Sequence, residues 1–271
     1  MTIRVAAIQL NSGADVSANL ASTADLLSAA AAQNCQLAVL PENFALMPKH
    51  GRDKSKHAEP LGDGPIQAML AEAAKATGMW IIGGSVPLAS ADPDRVFGAT
   101  VVFDPQGEQR AVYRKIHLFD VSLPDSDEGY QESWSMQPGD DSVCVDTPAG
   151  RVGLTICYDL RFPELYRRLV DDGASVFTVP AAFTATTGKA HWRTLIRARA
   201  IENLAYVIAP GQFGDHPGAR ATHGHSMIVD PWGRVLAEAA SGNAVVAADL
   251  DPALPARLRD EFPALKNRRL D

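Results

Sequence analysis

Short apolar runs alternate with longer amphipathic segments along the first third of the chain. A loosely alternating apolar run over residues 3–10 precedes an Ala- and Leu-rich segment over 15–32, and a second apolar run over 36–40 precedes a helically spaced segment over 66–77. Short runs of branched apolar residues are typical of strands, whereas recurrence at every third or fourth position is typical of helices. The pattern therefore predicts two successive strand–helix units.

Three strand-like runs then follow without an intervening helix. They cover residues 79–86, 97–103 and 110–116, and a turn sequence at 104–107 joins the last two. This order predicts a meander of paired strands. The next stretch, about 118–139, has no periodicity and many polar residues, which predicts a long loop. Because long ordered loops in globular domains are often functional, we expect this loop to border the active site.

The second half of the chain repeats this order of elements. Strands are predicted over 143–145, 152–157, 175–179, 205–209, 226–229, 235–238 and 244–249, and helices over 163–170, over 190–203 and from about 252. Two such halves are typical of an α/β (α+β) protein with helices outside and sheets inside, and a four-layer αββα sandwich satisfies the pattern. No Ser- and Gly-rich linker separates the halves, so we expect residues 1–271 to form a single domain.

Composition and charge exclude several classes of function. Hydrophobic residues make up 46% and charged residues 21% of the chain, which is enough apolar material for a buried core. The formal net charge of −7 opposes binding to nucleic-acid phosphates, so we expect no nucleic-acid partner. The N-terminal sequence lacks the features of a signal peptide, and no apolar run approaches the ~20 residues that span a bilayer. We therefore expect a cytoplasmic protein without a membrane partner.

The three cysteines have no metal-binding spacing, and their odd number argues against a disulfide framework. Cys157 differs from the other two because it ends the predicted strand 152–157 and precedes a predicted helix. A sharp strand-to-helix elbow would expose its thiol, and helical N–H groups nearby would lower the thiol pKa. The alternative is a buried cysteine that packs as a small apolar residue. We assign that structural role to Cys35 and Cys144.

Two further residues could complete a catalytic site with Cys157. Glu42 follows the predicted strand 36–40, and the carboxyl ends of central strands are where α/β proteins commonly bind ligands. Lys115 lies in the predicted strand 110–116, and either residue could instead be an ordinary solvated side chain. Together, a carboxylate can accept the thiol proton, the thiolate can attack an amide carbonyl carbon, and an ammonium can stabilise the oxyanion.

Three stretches resemble the catalytic motifs of the nitrilase superfamily and occur in the order of that family. They are residues 40–44 around Glu42, residues 113–119 around Lys115 and residues 156–164 around Cys157. Similar stretches extend the resemblance over nearly the whole chain, at 131–133, 188–192, 197–203 and 224–233.

The resemblance implies a specific mechanism on an αββα sandwich. A thioester would form on Cys157, Glu42 would transfer protons, and Lys115 would stabilise the oxyanion together with the backbone N–H of Tyr158. Glu132, in the predicted loop, would be a second carboxylate that orients Lys115 or positions water, and its alternative is a surface glutamate. Neither a cofactor nor a metal is implied.

The residues that follow the cysteine indicate an amide substrate. Tyr158 and Asp159 resemble the amidase branches of the superfamily, whereas true nitrilases carry Trp and Glu there. Residues 161–164 and 223–233 are most similar to the deaminated glutathione amidase branch, with the ω-amidase branch next. The resemblance thus implies an amidase that hydrolyses a small α-keto-acid amide. N-carbamoyl amino acid hydrolysis and nitrile hydrolysis stay as alternatives.

The same resemblance implies residues that bind the substrate. Arg161 would hold the α-keto carboxylate and Phe183 would pack against the carbon chain, with Tyr158 and Thr184 also at the pocket. A guanidinium fork suits a bidentate carboxylate, which gives the role of Arg161 a physical reason. The alternative for Arg161 is an ion pair with Glu164 at helical spacing.

Other functions stay open from the residues alone. An acyl transferase would share the thioester but pass the acyl group to an amine, and a catalytically silent scaffold would keep only the fold. His216, His223 and His225 could suggest a metal site, although the pair at 223 and 225 has no clear third ligand. The resemblance also implies a homodimer or higher homo-oligomer, with the helix that follows the Cys157 elbow and the segment around 262–263 as candidate interfaces.

Overall fold

Two mixed β-sheets form the centre of the molecule. The structure is a computed structural model and describes residues 2–122 and 129–270. Within these residues, with strands numbered in chain order, the first sheet contains β1 (Ile3–Gln9), β2 (Leu37–Val39), β3 (Trp80–Ile82), β4 (Val86–Ala89), β5 (Val96–Phe103), β6 (Gln109–Arg114) and β17 (Ala244–Leu250). Their order is β17–β1–β2–β3–β5–β4, and β6 also pairs with β5.

The second sheet repeats the central part of the first. Its strands are β9 (Cys144–Thr147), β10 (Gly150–Leu154), β11 (Val176–Thr178), β12 (Tyr206–Ala209), β15 (Ser226–Val229) and β16 (Val235–Ala239), in the order β16–β15–β12–β11–β10–β9. Strands β1, β2 and β3 run parallel, as do β10, β11 and β12. The two halves therefore have matching cores, as the order of elements predicts.

Helices cover the outer faces of both sheets. They are α1 (Val16–Ala32), α2 (Pro65–Thr77), α3 (Pro163–Asp171), α4 (Ala185–Thr187), α5 (Arg193–Asn203) and α6 (Leu254–Glu261). Helices α1 and α2 pack against the first sheet, and α3 and α5 pack against the second, which confirms the predicted αββα sandwich. In the described ranges, no helix is both long and apolar enough to cross a bilayer.

The alternation of β1 shows how the sequence produces these layers. Val5 and Ala7 belong to the apolar cluster shared by the two sheets, whereas Ala6 and Ile8 belong to the cluster that includes Leu27 of α1. Successive side chains of a strand point to opposite faces, so a strand buried on both faces is apolar at nearly every position. This explains why the alternation in the sequence is loose.

The prediction of one continuous strand over residues 79–86 is wrong. The stretch is divided into β3 and β4 by a turn at Gly84, which has a φ of +48°. A β-carbon at Gly84 would lie 2.1 Å from the carbonyl oxygen of Pro41, so only glycine fits this close approach. The turn packs against the segment that leads into Glu42. Hydrophobic periodicity does not reveal such a constraint because it acts on the backbone.

The loop predicted over residues 118–139 contains regular structure. Strand β7 (Asp120–Ser122) pairs with β8 (Gly129–Gln131), and a 3₁₀ helix follows over Glu132–Trp134. Residues 123–128, which belong to the same prediction, lie outside the described residues. A further hairpin of β13 (Phe213–His216) and β14 (Arg220–His223) was not predicted, because its strands are short and rich in polar residues.

Candidate active site

Cys157 lies at a sharp turn between a strand and a helix. Strand β10 ends at Leu154, the chain stays extended at Ile156, and Cys157 begins a 3₁₀ helix that ends at Arg161. The φ of Cys157 is +49°, a left-handed conformation that costs free energy in a residue with a β-carbon. A hydrogen bond from its N–H to the carbonyl of Pro180, at 2.8 Å, fixes this geometry. The predicted elbow is confirmed, but the strand ends before Cys157, and the side chain is buried, not exposed as predicted.

One buried carboxylate, that of Asp159, joins the elbow to the strand that precedes Lys115. Its Oδ2 accepts hydrogen bonds from the Ile156 N–H at 2.8 Å and from the Tyr113 hydroxyl at 2.6 Å. Its Oδ1 accepts from the backbone N–H of His117 at 3.1 Å and lies 2.7 Å from Nδ1 of that ring. Asp159 therefore fixes the position of the thiol relative to the lysine, a role that the sequence did not reveal.

Lys115 is held between two carboxylates. Its side chain is 1% exposed, and its Nζ lies 2.8 Å from Oε1 of Glu42 and 2.8 Å from Oε2 of Glu132. Burial alone would lower the pKa of Lys115, but the negative charges of Glu132 and Glu42 raise it well above its ordinary value. The ammonium therefore stays protonated. Since Glu132 hydrogen-bonds to Lys115, the structure places it where an orienting carboxylate should be.

Glu42 lies between the ammonium and the backbone of the second sheet. It follows β2 and is almost fully buried, and its Oε2 accepts a hydrogen bond from the Ala182 N–H at 2.9 Å. Burial by itself would raise the pKa of Glu42, but the charges of Lys115 and Lys54 and the hydrogen bond from Lys115 lower it to about 2. The side chain is thus an ionised carboxylate before substrate arrives.

The pKa of the Cys157 thiol is raised, whereas the sequence predicted that it would be lowered. Burial raises the pKa of Cys157, and the negative charge of Glu42 raises it further. The ammonium of Lys115 and the Ala182 N–H lower the pKa, but not enough to offset the first two causes. The prediction of a thiol activated by helical N–H groups is therefore wrong. At neutral pH the thiol keeps its proton, and the ionised carboxylate of Glu42 is the group that can accept that proton during attack.

A cavity of about 580 Å³ reaches these groups, a volume typical of small-molecule sites. We call Glu42, Lys115, Glu132 and Cys157 the cavity floor. All the residues predicted for the site line this cavity, which adds Tyr158, Arg161, Phe183 and Thr184. Phe119, Tyr130 and Trp134 also line it, so the prediction that the stretch 118–139 borders the site is confirmed.

The guanidinium of Arg161 lies close to two aromatic rings. Its Cζ lies 5.2 Å from the centre of the Phe183 ring and 5.9 Å from that of Tyr158, and its Nη1 lies 3.3 Å from Nδ1 of His191. In the parts of the chain that the structure describes, no ion pair joins Arg161 to Glu164. The structural alternative considered for Arg161 is therefore not what the structure shows, and among the described residues no carboxylate pairs with its guanidinium.

Thr184 is placed at the cavity but its hydroxyl is engaged. It accepts a hydrogen bond from the Thr187 N–H at 3.2 Å and lies 2.8 Å from the Thr187 hydroxyl, so it caps the start of α4. Its main contribution is therefore to fix the backbone beside Phe183.

Three other residues at the cavity had no signal in the sequence. Ala182 acts through its backbone N–H, which no side-chain pattern reveals. Lys54 lies on a 3₁₀ helix over Gly51–His57, in a charged stretch without periodicity, and Arg220 begins the unpredicted strand β14.

The three histidines considered as metal ligands have other partners. His216 lies 2.9 Å from the Ser12 carbonyl oxygen through Nδ1, whereas His223 stacks on His225 with ring centres 4.4 Å apart. His225 Nδ1 lies 2.8 Å from Oε1 of Glu238. Among the described residues, no three His, Cys, Asp or Glu side chains are arranged to hold a metal ion.

Comparisons with known proteins agree on one family. A model of the carbon-nitrogen hydrolase family matches residues 4–260. A protein of Yersinia enterocolitica named deaminated glutathione amidase is 41% identical over 98% of this chain and 92% of its own length. A human protein named omega-amidase NIT2 is 37% identical over 100% of this chain and 96% of its own length.

Solved structures show the same fold. The NitFhit protein of C. elegans superposes with a TM-score of 0.92 and 35% identity over 99% of this chain, which spans 65% of that longer chain. Nit3 of Saccharomyces cerevisiae, described as a member of branch 10 of the nitrilase superfamily, superposes with a TM-score of 0.88 and 32% identity, over 99% of this chain and 97% of its own.

Proposed function

Because the chain belongs to the carbon-nitrogen hydrolase family of the nitrilase superfamily, we propose that it hydrolyses a small amide through a thioester on Cys157. The observation that carries the proposal is the buried ammonium of Lys115, held between Glu42 and Glu132 beside that thiol. Burying a charged lysine between two carboxylates costs free energy, which a lysine without a function would avoid by remaining exposed. A group that stabilises an oxyanion must be positioned before the reaction begins. We further propose that residues 1–271 act as one hydrolase domain.

The cavity floor supplies each group that attack on an amide requires. As the Cys157 sulfur bonds to the carbonyl carbon, the thiol proton passes to Glu42 and the carbonyl electrons move to oxygen. The oxyanion is stabilised by the Lys115 ammonium and by the N–H of Tyr158, which lies at the start of a helix where N–H groups lack intrahelical partners. One such donor typically contributes on the order of a hundredfold or more to kcat.

The second part of the reaction reverses the proton transfer. Glu42 donates its proton to the leaving nitrogen, the carbon–nitrogen bond breaks, and an amine or ammonia leaves a thioester on Cys157. Water then attacks the thioester carbon while Glu42 accepts a water proton, and the carbon–sulfur bond breaks to release a carboxylic acid and restore the thiol. Glu132, which also accepts the Phe119 N–H at 2.8 Å, holds Lys115 in place throughout.

We assign the acyl part of the substrate to an α-keto acid, as in the substrates that the relatives' names indicate. Arg161 supports this assignment because its guanidinium faces the cavity without a carboxylate partner in the described residues. A guanidinium binds a carboxylate through two parallel hydrogen bonds, and the rings of Phe183 and Tyr158 contact the guanidinium of Arg161.

A panel of substrates tests this function. Purified protein should release ammonia or amine from α-ketoglutaramate and deaminated glutathione, and should act far more slowly on N-carbamoyl amino acids and simple nitriles. Release from the nitriles alone, or from none of the compounds, would contradict the proposal. The Cys157→Ala variant in the same assay controls for contaminating amidases.

The surface supports an assembly of two or more copies. Trp232 and Phe262 are 50% and 53% exposed and contact each other with ring centres 5.6 Å apart, and Ile201 beside Gly233 is also exposed. Exposed apolar clusters of this kind often mark protein interfaces. We propose a homodimer or higher homo-oligomer through this surface. Light scattering should give the wild type the mass of an oligomer and the Trp232→Asp variant a lower mass. A monomeric wild type, or a variant with the same mass as the wild type, would contradict the proposal.

The location that we propose is the cytoplasm. All three cysteines lie in the described residues and are unpaired, which is usual in a reducing compartment. Fractionation of cells that express the protein tests this, and recovery outside the cytoplasmic fraction would contradict it.

A further inference from the structure

Two histidine rings stack on each other next to the backbone of Phe183. The rings of His223 and His225 have centres 4.4 Å apart, and their planes lie within 19° of each other. Both side chains are partly buried, and neither belongs to the described residues that line the cavity. Neither takes part in the proposed reaction. Two titratable rings in such close contact therefore need a different explanation.

The backbone of this turn is bonded to segments that form the cavity. The His223 N–H donates to the Phe183 carbonyl at 3.0 Å, and the indole N–H of Trp192 donates to the His225 carbonyl at 2.8 Å. The rings of Phe183 and Trp192 also contact each other, with centres 4.9 Å apart. Because Phe183 lines the cavity, a displacement of the turn would displace a side chain at the substrate site.

The turn has little room to absorb a change. His225 has a φ of +55°, a left-handed conformation that costs free energy in a residue with a β-carbon and persists only where the surroundings fix it. The His223 side chain packs directly on Gly188, where an added β-carbon would lie 2.2 Å from the β-carbon of His223. Gly188 begins a π-helical turn, Gly188–Trp192, which leads into α5. Movement of the His223 ring would therefore be passed to this turn.

The charged groups around the stack allow one positive ring but not two. Those that act electrostatically on His223 are His225 and Glu238. The carboxylate of Glu238 is already bonded to Nδ1 of His225 and to Arg193. The elements packed on the turn also carry Arg193 on α5, Lys189 and His191 on the π-helical turn, and Asp215, His216 and Arg220 on the hairpin of β13 and β14. A proton on His223 would thus place a second positive charge against the stacked ring of His225.

The pKa of His223 shows the same conflict. Burial lowers this pKa from its ordinary value of 6.5, and the positive charge of His225 lowers it further, against the opposing effect of Glu238. The folded protein therefore keeps His223 neutral at a pH at which the unfolded chain is already protonated. As the pH falls below about 6.5, the unfolded state takes up a proton that the folded state does not, so the fold loses stability.

We propose that the turn from His223 to His225 is a pH-sensitive support for Phe183. While His223 is neutral, the rings stack and the turn holds the backbone of Phe183. When His223 takes up a proton, repulsion between the rings loosens the turn and, with it, the side chain of Phe183. His223 is then a positioning residue, because it acts on the substrate through Phe183. This inference rests on the function proposed above and adds to it a control of substrate binding by acid pH.

The pH dependence of KM tests this support. For the best amide substrate, KM of wild type should rise on the order of three- to tenfold between about pH 7.5 and about pH 5.5, since one proton that must leave before substrate binds changes KM by at most about tenfold per pH unit. The value of kcat should change little, because the pKa values of Glu42, Lys115 and Cys157 lie outside this range.

Two variants of His223 fix its charge. His223→Phe keeps an aromatic ring on His225 without a charge, so its KM should stay nearly constant over this range and equal that of wild type at about pH 7.5. His223→Lys carries a permanent charge and should have, at about pH 7.5, the KM that wild type reaches at about pH 5.5. His223→Gln, which is also neutral, replaces His223→Phe if the latter does not fold.

His57→Phe is the matched control, because His57 is exposed on the short helix Gly51–His57 and is not among the described residues that line the cavity. It should keep the wild-type rise in KM. Melting temperatures give a readout that is independent of activity, and that of wild type should fall more steeply with acidification than that of His223→Phe. A wild-type KM that does not rise, or an equal rise in His223→Phe, would overturn the support alone. If wild type hydrolyses no amide, the proposed function fails, and equal pH slopes of the melting temperatures would overturn the support as well.

Discussion

The cavity floor and the cavity wall differ in how their charges are partnered. In the floor, the Lys115 ammonium is 2.8 Å from a carboxylate oxygen of Glu42 and equally close to one of Glu132. We call three partly buried cations that also line the cavity, Lys54, Arg161 and Arg220, the cavity wall. None of these three cations forms an ion pair within residues 2–122 and 129–270.

We propose that this difference separates catalysis from recognition. The charges of the floor are fixed by the protein before substrate binds, as electrostatic stabilisation of a transition state requires. The charges of the wall have no carboxylate partner in the described part of the chain, and a substrate could supply one. Substitutions in the floor should therefore reduce turnover of every substrate, whereas substitutions in the wall should act only on substrates with the matching charge.

The largest effect is expected from loss of the nucleophile. Cys157→Ala should lower kcat by on the order of 10⁴-fold or more for every amide, because no other group can form the thioester. Cys35→Ala and Cys144→Ala serve as controls and should keep most activity. Steady-state kinetics with circular dichroism checks this. A well-folded Cys35 or Cys144 variant that is equally inactive would contradict the assignment.

Lys115→Arg should be nearly as damaging as Lys115→Ala, with a loss on the order of a hundredfold or more in kcat. The ammonium occupies a fully buried space between two carboxylates, where a broad planar guanidinium does not fit. The measurement is kcat for one charged and one neutral amide. If the arginine variant keeps a tenth of wild-type activity on either, Lys115 does not have the oxyanion role.

Arg161→Lys should distinguish the wall from the floor. We expect kcat/KM for a keto-acid amide to fall on the order of ten- to a hundredfold, because the two-point contact with the carboxylate is lost. Activity on propionamide, which has no carboxylate, should change little. Melting temperature is measured alongside, and equal losses on both substrates would remove Arg161 from carboxylate recognition.

The smallest expected effect is the pH dependence of the cavity floor under acidic conditions, which tests whether Lys115 keeps Glu42 ionised. The folded pKa of Glu42 is lowered from 4.5 to about 2, so ionisation of Glu42 stabilises the fold fully above about pH 4.5 and loses this effect as pH falls towards 2. Folded wild-type protein should thus show no protonation step near pH 4.5 in kcat/KM. In Glu42→Gln, the melting temperature should fall less over this range than in wild type. A step near pH 4.5 with the fold intact would show that Lys115 does not control Glu42.

The sequence predicted the sandwich and the residues of the floor because both depend on local patterns. Apolar runs of the right length identified most strands, and ordered motifs identified Glu42, Lys115 and Cys157. The depth of Lys115 was not predictable, since a lysine in an alternating strand is usually exposed. Its burial requires two carboxylates from segments far apart in the chain.

Features that depend on backbone geometry or on distant neighbours were missed. The close approach of Gly84 to Pro41 and the hydrogen bond donated by the backbone N–H of Ala182 both involve backbone atoms. No pattern of side chains along the sequence therefore indicates them. The direction of the thiol pKa was predicted wrongly because it depends on burial and on Glu42, not on the adjacent helix. The role of Asp159 was missed because its partners, such as Tyr113, come from another sheet.

Trapping the covalent intermediate tests the central claim most directly. Protein mixed with a keto-acid amide is quenched in acid during turnover, and its peptides are analysed by mass spectrometry. We expect the mass of the acyl group on the peptide that contains Cys157, and its absence in Cys157→Ala. An acyl adduct on Cys35 or Cys144 would contradict the account. So would turnover without an adduct on Cys157 for a substrate whose thioester is hydrolysed slowly enough to accumulate.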